Sequence, residues 1–221
     1  MSEAIVLEQL SFARRIADYA ARLGVLHVPM KSRPASSHMG AVLADAILQA
    51  GVNYQTVVRV RIERIQSLFP EAAMLSGVTA LIDREGPEFI LLWRHPIKVR
   101  RFVSLTNFLA AQEIETAVEL RDWLCLQGAR SSLLGLNGIG PKTCDYLGGL
   151  VGIDCIAVDR HIIRFAADAG VHVSDYDCLK CAVSFAADLL GVARRDFDAW
   201  IWREFSERAD VSEREPARRV G

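Results

Sequence analysis

Residues 136–143 read Leu-Asn-Gly-Ile-Gly-Pro-Lys-Thr, and this short segment limits the possible folds of the chain more than any other. Gly138 and Gly140 permit left-handed or crowded backbone, and Pro141 suits the first position of a helix, where no amide hydrogen bond is lost. The segment therefore predicts two helices joined by a short hairpin. A helix that begins behind two glycines exposes free backbone amides, which bind phosphate well, so the hairpin is expected to hold a nucleic-acid backbone without reading bases.

Two side chains with catalytic potential accompany this hairpin. Lys142 lies at the start of its second helix, and a neutral lysine amine is a nucleophile for carbon centres such as C1′ of a sugar. Asp159 follows the apolar run 155–158 and begins another helix, so its carboxylate is expected to cap that helix. Taken singly, these features also fit an ordinary helix connection, a surface lysine and a plain N-cap. Their combination at this spacing favours chemistry on a nucleotide.

These residues resemble the helix-hairpin-helix DNA glycosylases, the superfamily of endonuclease III, the adenine mismatch glycosylase and 8-oxoguanine glycosylase. The superfamily pattern is a Leu-x-Gly-(Val/Ile)-Gly hairpin, a lysine two residues later in bifunctional members, and a Val-Asp-x-His segment with the catalytic aspartate. Lys142 and Asp159 occupy those positions. The resemblance is strongest over residues 130–170 and looser over residues 38–130 and 174–206.

The resemblance implies a DNA repair enzyme that flips a damaged nucleotide out of the duplex and excises its base. Asp159 would stabilise the cationic sugar, and Lys142 would attack C1′, form a Schiff base and cut the strand by β-elimination, which is AP lyase activity. Two alternatives stay open. One is a monofunctional glycosylase in which Asp159 activates water and Lys142 contacts phosphate, and the other is a non-catalytic helix-hairpin-helix DNA-binding protein. The sequence does not specify the damaged base.

An all-α, two-lobed fold is expected. Apolar residues make up 51% of the chain and aromatic residues 8%, and no stretch alternates as a strand does. A helix over residues 40–50 is apolar except for Asp45 and Gln49, which predicts that it is buried. One lobe is predicted from residues 38–144 and ends in the hairpin. The other combines residues 1–37 with 145–207, so that the resemblance places Lys142 and Asp159 on opposite sides of a cleft. A charged tail at residues 208–221 is predicted to be disordered.

DNA-backbone contacts are expected at the hairpin and in the basic segment 93–101. The net charge of −1 means that local patches must provide these contacts. The predicted backbone-binding residues are Gly138, Ile139, Gly140, Thr143, Lys98 and Arg101.

The base pocket is expected where two helices meet near residues 49–55, because this junction borders the pocket in the resembling enzymes. Gln49, Asn53 and Tyr54 are the candidates there, although they also fit a helix C-cap and N-cap. Trp93, Arg94 and His95 precede a helix that begins at Pro96, and their loop matches one that fills the gap left by a flipped base. The alternative is that Trp93 belongs to the core and the charges are solvated surface.

No cofactor is expected apart from a monovalent cation at the hairpin carbonyls, which the resemblance implies. The five cysteines form no zinc pattern, and residues 206–221 lack the cysteines of the iron–sulfur loop that endonuclease III carries there. The chain has no signal-peptide pattern and no run of apolar residues long enough to span a bilayer. It is therefore expected to be a cytoplasmic monomer that binds double-stranded DNA with a damaged or abasic nucleotide and does not associate with membranes.

Overall fold

The computed structural model describes residues 3–29 and 34–214, with side chains described for residues 6–29 and 34–205. Within these ranges the chain forms helices and no β-strand, so the all-α prediction is confirmed. The α-helices in chain order are α1 (Glu3–Arg22), α2 (Met39–Leu48), α3 (Val60–Leu68), α4 (Leu75–Glu85), α5 (Pro87–Leu91), α6 (Pro96–Ala111), α7 (Ala117–Leu124), α8 (Ala129–Leu134), α9 (Pro141–Leu150), α10 (Arg160–Asp168), α11 (Tyr176–Leu190) and α12 (Arg194–Arg214). Two short 3-10 turns (Val25–His27 and Pro70–Ala73) and a π-helical turn (Tyr54–Arg59) complete the helical structure. No helix among the described residues is both long and apolar enough to cross a membrane.

The chain divides into two compact units, residues 34–153 and residues 1–33 with 154–221. The predicted boundary after residue 144 falls inside α9, but the structure keeps α9 whole in the 34–153 unit. The reason is burial, because Cys144, Leu147 and Leu150 along α9 all pack into the core of that unit.

Helix α2 is the centre of the 34–153 unit. Every residue of this helix is buried, as its apolar sequence predicts, and it packs against α3, α6 and α9. Near its start Gly40 allows the Pro70–Ala73 turn to approach, because a Cβ on Gly40 would lie 3.1 Å from the Cβ of Ala72. Each leucine or isoleucine buried in α2 contributes about 1.5–3 kcal/mol to the stability of this unit. A polar side chain in such a helix therefore needs a specific partner.

In the other unit α1 packs on α11 and α10 packs on α12. Phe165 of α10 lies at the centre of an aromatic cluster and is fully buried. Its ring centroid lies 5.2 Å from that of Tyr19, 5.8 Å from that of Trp200 and 5.7 Å from that of Phe205, with tilted or edge-on geometry. Such pairs contribute about 0.5–1.5 kcal/mol each beyond burial, so the cluster fixes α10 firmly in place.

The last helix is longer than predicted. Helix α12 continues to Arg214, past the predicted start of a disordered tail at residue 208. Residues 215–221, the rest of that predicted tail, lie outside the described residues.

Candidate active site

The predicted helix-hairpin-helix is present between α8 and α9. Gly138 has a φ of +83°, the left-handed conformation that glycine tolerates, and the amide of Ile139 donates to the carbonyl of Leu136 at 3.1 Å. The side chain of Ile139 is buried in the core and anchors the hairpin. Gly140 occupies the N-cap of α9, and no side chain caps this helix end among the described residues. The amides of its first turn, including that of Thr143, are therefore open to a phosphate.

Arg101 of α6 lies directly across this hairpin. A Cβ built on Gly138 would overlap the guanidinium Nε and the end of the Arg101 side chain. The guanidinium thus occupies the space that the missing side chain leaves. Arg101 places a positive charge beside the open amides of the hairpin, as a phosphate-binding site requires.

Lys98, a predicted phosphate contact, has a different role in the structure. Its Nζ donates to the carbonyl oxygens of Leu48 at 2.6 Å and Ala50 at 2.7 Å, which closes the carboxyl end of α2. Burial lowers the pKa of Lys98, and the nearby positive charge of Arg101 lowers it further. This geometry gives the Lys98 ammonium a structural role at the end of α2, and its contact with DNA stays a prediction.

The Trp93 side chain packs against its neighbours and does not project to fill a gap left by a flipped base. Its ring packs against the core, with the Arg61 guanidinium carbon 4.7 Å and the Lys98 ammonium nitrogen 5.4 Å from its centroid. The structure therefore fits the alternative prediction, that Trp93 belongs to the core, better than the prediction that it fills the gap left by a flipped base. Arg94 and His95, the other two residues of this loop, are exposed.

Asn53 and Gln49 both serve as helix caps, as the alternative prediction had it. The Asn53 side chain accepts from the amide of Thr56 at 3.0 Å and caps the π-helical turn. Gln49 is the C-cap of α2, with its amide donating to the carbonyl of Asp45 at 3.1 Å. Because this cap uses only the backbone amide of Gln49, the Gln49 side chain can contact α9, the second helix of the hairpin.

The side chain of Lys142 is hydrogen-bonded to Gln49. The Lys142 Nζ donates to Gln49 Oε1 at 2.8 Å. Because an ammonium only donates, this contact fixes the orientation of the amide, with its oxygen toward the lysine and its Nε2 directed elsewhere. That Nε2 is buried and has no hydrogen-bond partner among the described residues. The structure thus brings together one predicted catalytic residue and one predicted pocket residue.

Two tyrosines complete this polar cluster. The Tyr54 hydroxyl donates to Asp45 Oδ2 at 3.0 Å, and the Tyr146 hydroxyl donates to Asp45 Oδ1 at 3.0 Å. Asp45 is 1% exposed, so these hydroxyls satisfy a carboxylate that lies inside the protein. Asp45 and Tyr146 were not predicted as site residues. The only sign in the sequence is one acidic residue in an otherwise apolar helix.

Asp159, in the other unit, is the N-cap of α10 as predicted. Its Oδ1 accepts from the amides of His161 at 2.8 Å and Ile162 at 3.0 Å. Its Oδ2 has no hydrogen-bond partner in the part of the chain that the structure describes, and the residue is partly exposed. The cap therefore holds the carboxylate in one orientation and leaves its second oxygen for a ligand.

Two residues that the sequence did not suggest fix the segment before Asp159. The amide of Ala157 donates to Asp198 Oδ2 at 2.8 Å, and the amide of Val158 donates to the Tyr176 hydroxyl at 3.2 Å. Ala157 and Val158 are both buried and lie in a segment that is neither helix nor strand, so no regular backbone hydrogen bonds hold it. Asp198 and Tyr176 thereby set where the chain enters α10.

A surface hollow of about 430 Å³ lies elsewhere in the 34–153 unit. Asp83, Glu113 and Glu115 are among its lining residues. An acidic lining repels a polyanion, so this hollow does not suit DNA.

No family model matches this sequence, and no curated protein does. Among solved structures the chain is similar to the 3-methyladenine DNA glycosylase of H. pylori (MagIII) bound to 1,N6-ethenoadenine. The TM-score is 0.60 at 16% sequence identity, and the match covers 90% of this chain and 98% of that one. At this identity the likeness establishes a fold. The chain has the all-α fold of the helix-hairpin-helix DNA glycosylases, as the resemblance of its hairpin and its Val-Asp-x-His segment implied.

Proposed function

We propose that this protein is a DNA repair glycosylase that removes a damaged base from double-stranded DNA. The observation that carries the proposal is the presence, in a chain with this fold, of an open hairpin helix bearing Lys142 and a capped carboxylate, Asp159, with one oxygen unused. The similar H. pylori structure is of a 3-methyladenine glycosylase, which supports a damaged base as substrate. We further propose that it acts as a cytoplasmic monomer.

Binding of DNA would begin at the hairpin. The open amides of the first turn of α9 and the adjacent Arg101 guanidinium suit one phosphate of the backbone, and such contacts carry no sequence information. Because the net charge of the chain is −1, binding depends on this local arrangement and not on a general attraction.

The chemical step leaves positive charge on the sugar as the base departs. A fixed carboxylate next to that charge lowers the barrier without reorganising during the reaction. Asp159 meets this requirement, because two backbone amides hold its Oδ1 while its Oδ2 stays available. The proposal gives Asp159 this role in base release.

Lys142 would add a lyase step. The Lys142 ammonium first gives up a proton to water. The neutral amine then adds to C1′ as the bond from C1′ to the base breaks, and the bonding electron pair leaves with the base, which takes up a proton. Loss of the proton from the added amine and opening of the sugar ring give a Schiff base. Removal of a C2′ proton then expels the 3′ phosphate and cuts the strand.

A monofunctional glycosylase is the second candidate, and one observation favours it. The Lys142 amine is already bound to Gln49 Oε1 at 2.8 Å, a contact that would have to break before nucleophilic attack. In this version Asp159 activates a water molecule, which adds to C1′, and Lys142 contacts a phosphate.

The proposed reaction uses no iron–sulfur cluster, since residues 206–221 contain no cysteine. A monovalent cation held by hairpin carbonyls would form part of the DNA contact. Base release should therefore survive a chelator, whereas replacing potassium ions with a bulky organic cation should weaken DNA binding. Loss of base release with the chelator would contradict the cofactor-free proposal.

Single-lesion duplexes test the function. Duplexes with 3-methyladenine or 1,N6-ethenoadenine come first, because the similar structure concerns these two bases, followed by oxidised and mismatched bases. We expect the protein to release at least one of them, and Asp159→Asn to slow that release by about 10²–10³-fold. Asp175→Asn is a matched control, because Asp175 also caps a helix and accepts from the amide of Cys178 at 2.7 Å. It should lose similar stability and keep its activity.

Borohydride trapping separates the candidates. If Lys142 is the nucleophile, the wild-type protein forms a trapped adduct with lesion DNA and Lys142→Ala does not, while Lys180→Ala serves as the lysine control. Base release without any adduct would establish the monofunctional candidate. DNA binding without release of any base would overturn the glycosylase proposal and leave a non-catalytic DNA-binding protein.

A further inference from the structure

Asp45 is a charged residue in a helix whose every position is buried. It is 1% exposed, and each of its carboxylate oxygens accepts a tyrosine hydroxyl at 3.0 Å, Oδ1 from Tyr146 and Oδ2 from Tyr54. Taking a carboxylate out of water costs several kcal/mol, which hydrogen bonds offset only in part. Buried charged groups can often be replaced by apolar residues of similar volume without loss of stability. Stability alone therefore does not account for the arrangement.

The contact between Lys142 and Gln49 lies on the same faces of α2 and α9 as the contact between Tyr146 and Asp45. Asp45 and Gln49 are four residues apart in α2 and its C-cap, and Lys142 and Tyr146 are four residues apart in α9, so each pair lies on one helix face. Asp45 pairs with Tyr146, and Gln49 pairs with Lys142 at 2.8 Å. Two hydrogen bonds, one helical turn apart, thus join α2 to α9. Fixing the first constrains the second.

Tyr54 connects this pair of hydrogen bonds to an irregular element. It begins the π-helical turn Tyr54–Arg59, a rare geometry that frequently occurs at functional positions. Tyr54 as a residue is partly exposed and packs against the core, while its hydroxyl is bound to buried Asp45. An aromatic ring held by its hydroxyl keeps one plane, as a surface for stacking an extruded base requires.

We propose that Asp45 is a positioning residue of the active site, which holds the Tyr54 ring through one carboxylate oxygen and, through Tyr146 on the other, keeps the Lys142 amine at Gln49. This inference rests on the proposed glycosylase function and concerns a residue that is buried inside the protein. The Asp45 carboxylate acts through two tyrosines and the spacing of α2 against α9. The Gln49 contact holds the amine in place until attack begins and then breaks. Loss of Asp45 would leave the Tyr54 ring and the Lys142 amine without fixed positions, so it should disturb the chemistry more than the binding of DNA.

Two substitutions test the role with little change of volume. In Asp45→Asn the amide nitrogen cannot accept, so one tyrosine hydroxyl loses its acceptor. Tyr146→Phe removes a single hydroxyl and leaves the carboxylate bound by Tyr54, and it serves as the test if Asp45→Asn does not fold. We expect either variant to lower kcat for base release by about 10- to 10²-fold with little change in KM for the duplex. Thr106→Val is the matched control, because it removes a buried hydroxyl that donates to the carbonyl of Phe102 within α6 of the same unit.

A second measurement does not depend on glycosylase activity. Amine-directed labelling followed by mass spectrometry reports how readily the Lys142 amine reacts, with Lys180 as the internal reference. Asp45→Asn or Tyr146→Phe should raise labelling of Lys142 several-fold, and Thr106→Val should not. If the wild type releases no base but labelling of Lys142 is higher in the two variants than in the wild type, the glycosylase function fails and the positioning role stands. If labelling of Lys142 stays at the wild-type rate, or Thr106→Val lowers kcat equally, Asp45 is a structural residue and the inference is overturned.

Discussion

The ammonium nitrogen of Lys98 lies 2.6 Å from the carbonyl oxygen of Leu48, at the last residue of α2. The carbonyl groups at a helix end have no partners within the helix, and those at the end of α2 lie in a partly buried region. Lys98 satisfies them from α6, and its side chain also lies over the ring of Trp93. A basic residue in the most basic segment of the chain is therefore part of the core architecture.

Replacing Lys98 should destabilise the 34–153 unit. Lys98→Ala leaves the carbonyls of Leu48 and Ala50 without this donor, and we expect a loss of about 1–3 kcal/mol in the free energy of unfolding. Arg100→Ala, in the same helix but exposed, should change it by less than about 0.5 kcal/mol. Denaturant unfolding measures both. The salt dependence of DNA binding should stay unchanged in Lys98→Ala, and a slope reduced by about one unit would show that Lys98 contacts a phosphate after all.

The range of each hydrogen bond explains what the sequence could reveal. The Asp159 cap reaches two and three residues ahead and the Asn53 cap three, so both follow from local spacing. Lys98 and Leu48 are 50 residues apart, Gln49 and Lys142 are 93 apart, and Asp45 and Tyr146 are 101 apart. No periodicity links residues at such distances.

The burial of α2 illustrates the same limit. Its apolar sequence predicts a buried helix, and the structure confirms it. The sequence also shows that Asp45 interrupts this apolar surface, but it does not show which residues satisfy the carboxylate. The hairpin was the easiest element to predict, because glycine and proline restrict the backbone wherever they occur.

Gly138→Ala should impair the hairpin in two ways. A left-handed φ of +83° costs an alanine about 1–2 kcal/mol, and its Cβ would displace the Arg101 side chain. We expect lower stability and weaker binding to every duplex, damaged or not. Gly149→Ala, inside α9, is the control, because no described atom lies within 4 Å of a Cβ at that position and its φ is not left-handed.

A double mutant separates strain from lost charge. Arg101→Ala alone should lower the salt slope of DNA binding by about one unit. In the Gly138→Ala and Arg101→Ala double mutant the overlap is absent, so the combined loss of stability should be smaller than the sum of the single losses by about 0.5 kcal/mol or more. Additive losses would mean that Arg101 does not occupy the space over Gly138.

We predict that His38 makes the stability of the 34–153 unit dependent on pH. The amide of Ala41 donates to its Nδ1 at 3.2 Å, and the carbonyl of Phe69, 3.0 Å from its Nε2, can only accept, so the ring is neutral with its proton on Nε2. A protonated ring would lose the cap of α2. Burial lowers the pKa of His38 below its ordinary value of 6.5, and the Phe69 carbonyl and the charge of Glu71 oppose that shift.

The direction of the pH effect follows from proton binding. Because the folded-state pKa of His38 is lowered, the unfolded chain binds more protons between that pKa and 6.5. The contribution of His38 to stability is therefore fully present above pH 6.5 and is lost as the pH falls toward the folded-state pKa. His38→Asn keeps an oxygen to cap α2 and cannot titrate, so its melting temperature should fall less than that of the wild type between about pH 7 and about pH 5. His172→Asn changes an exposed histidine of the other unit and should keep the wild-type dependence. If His38→Asn and the wild type lose stability in parallel over this range, the acid sensitivity arises from other groups and the neutral cap is not its cause.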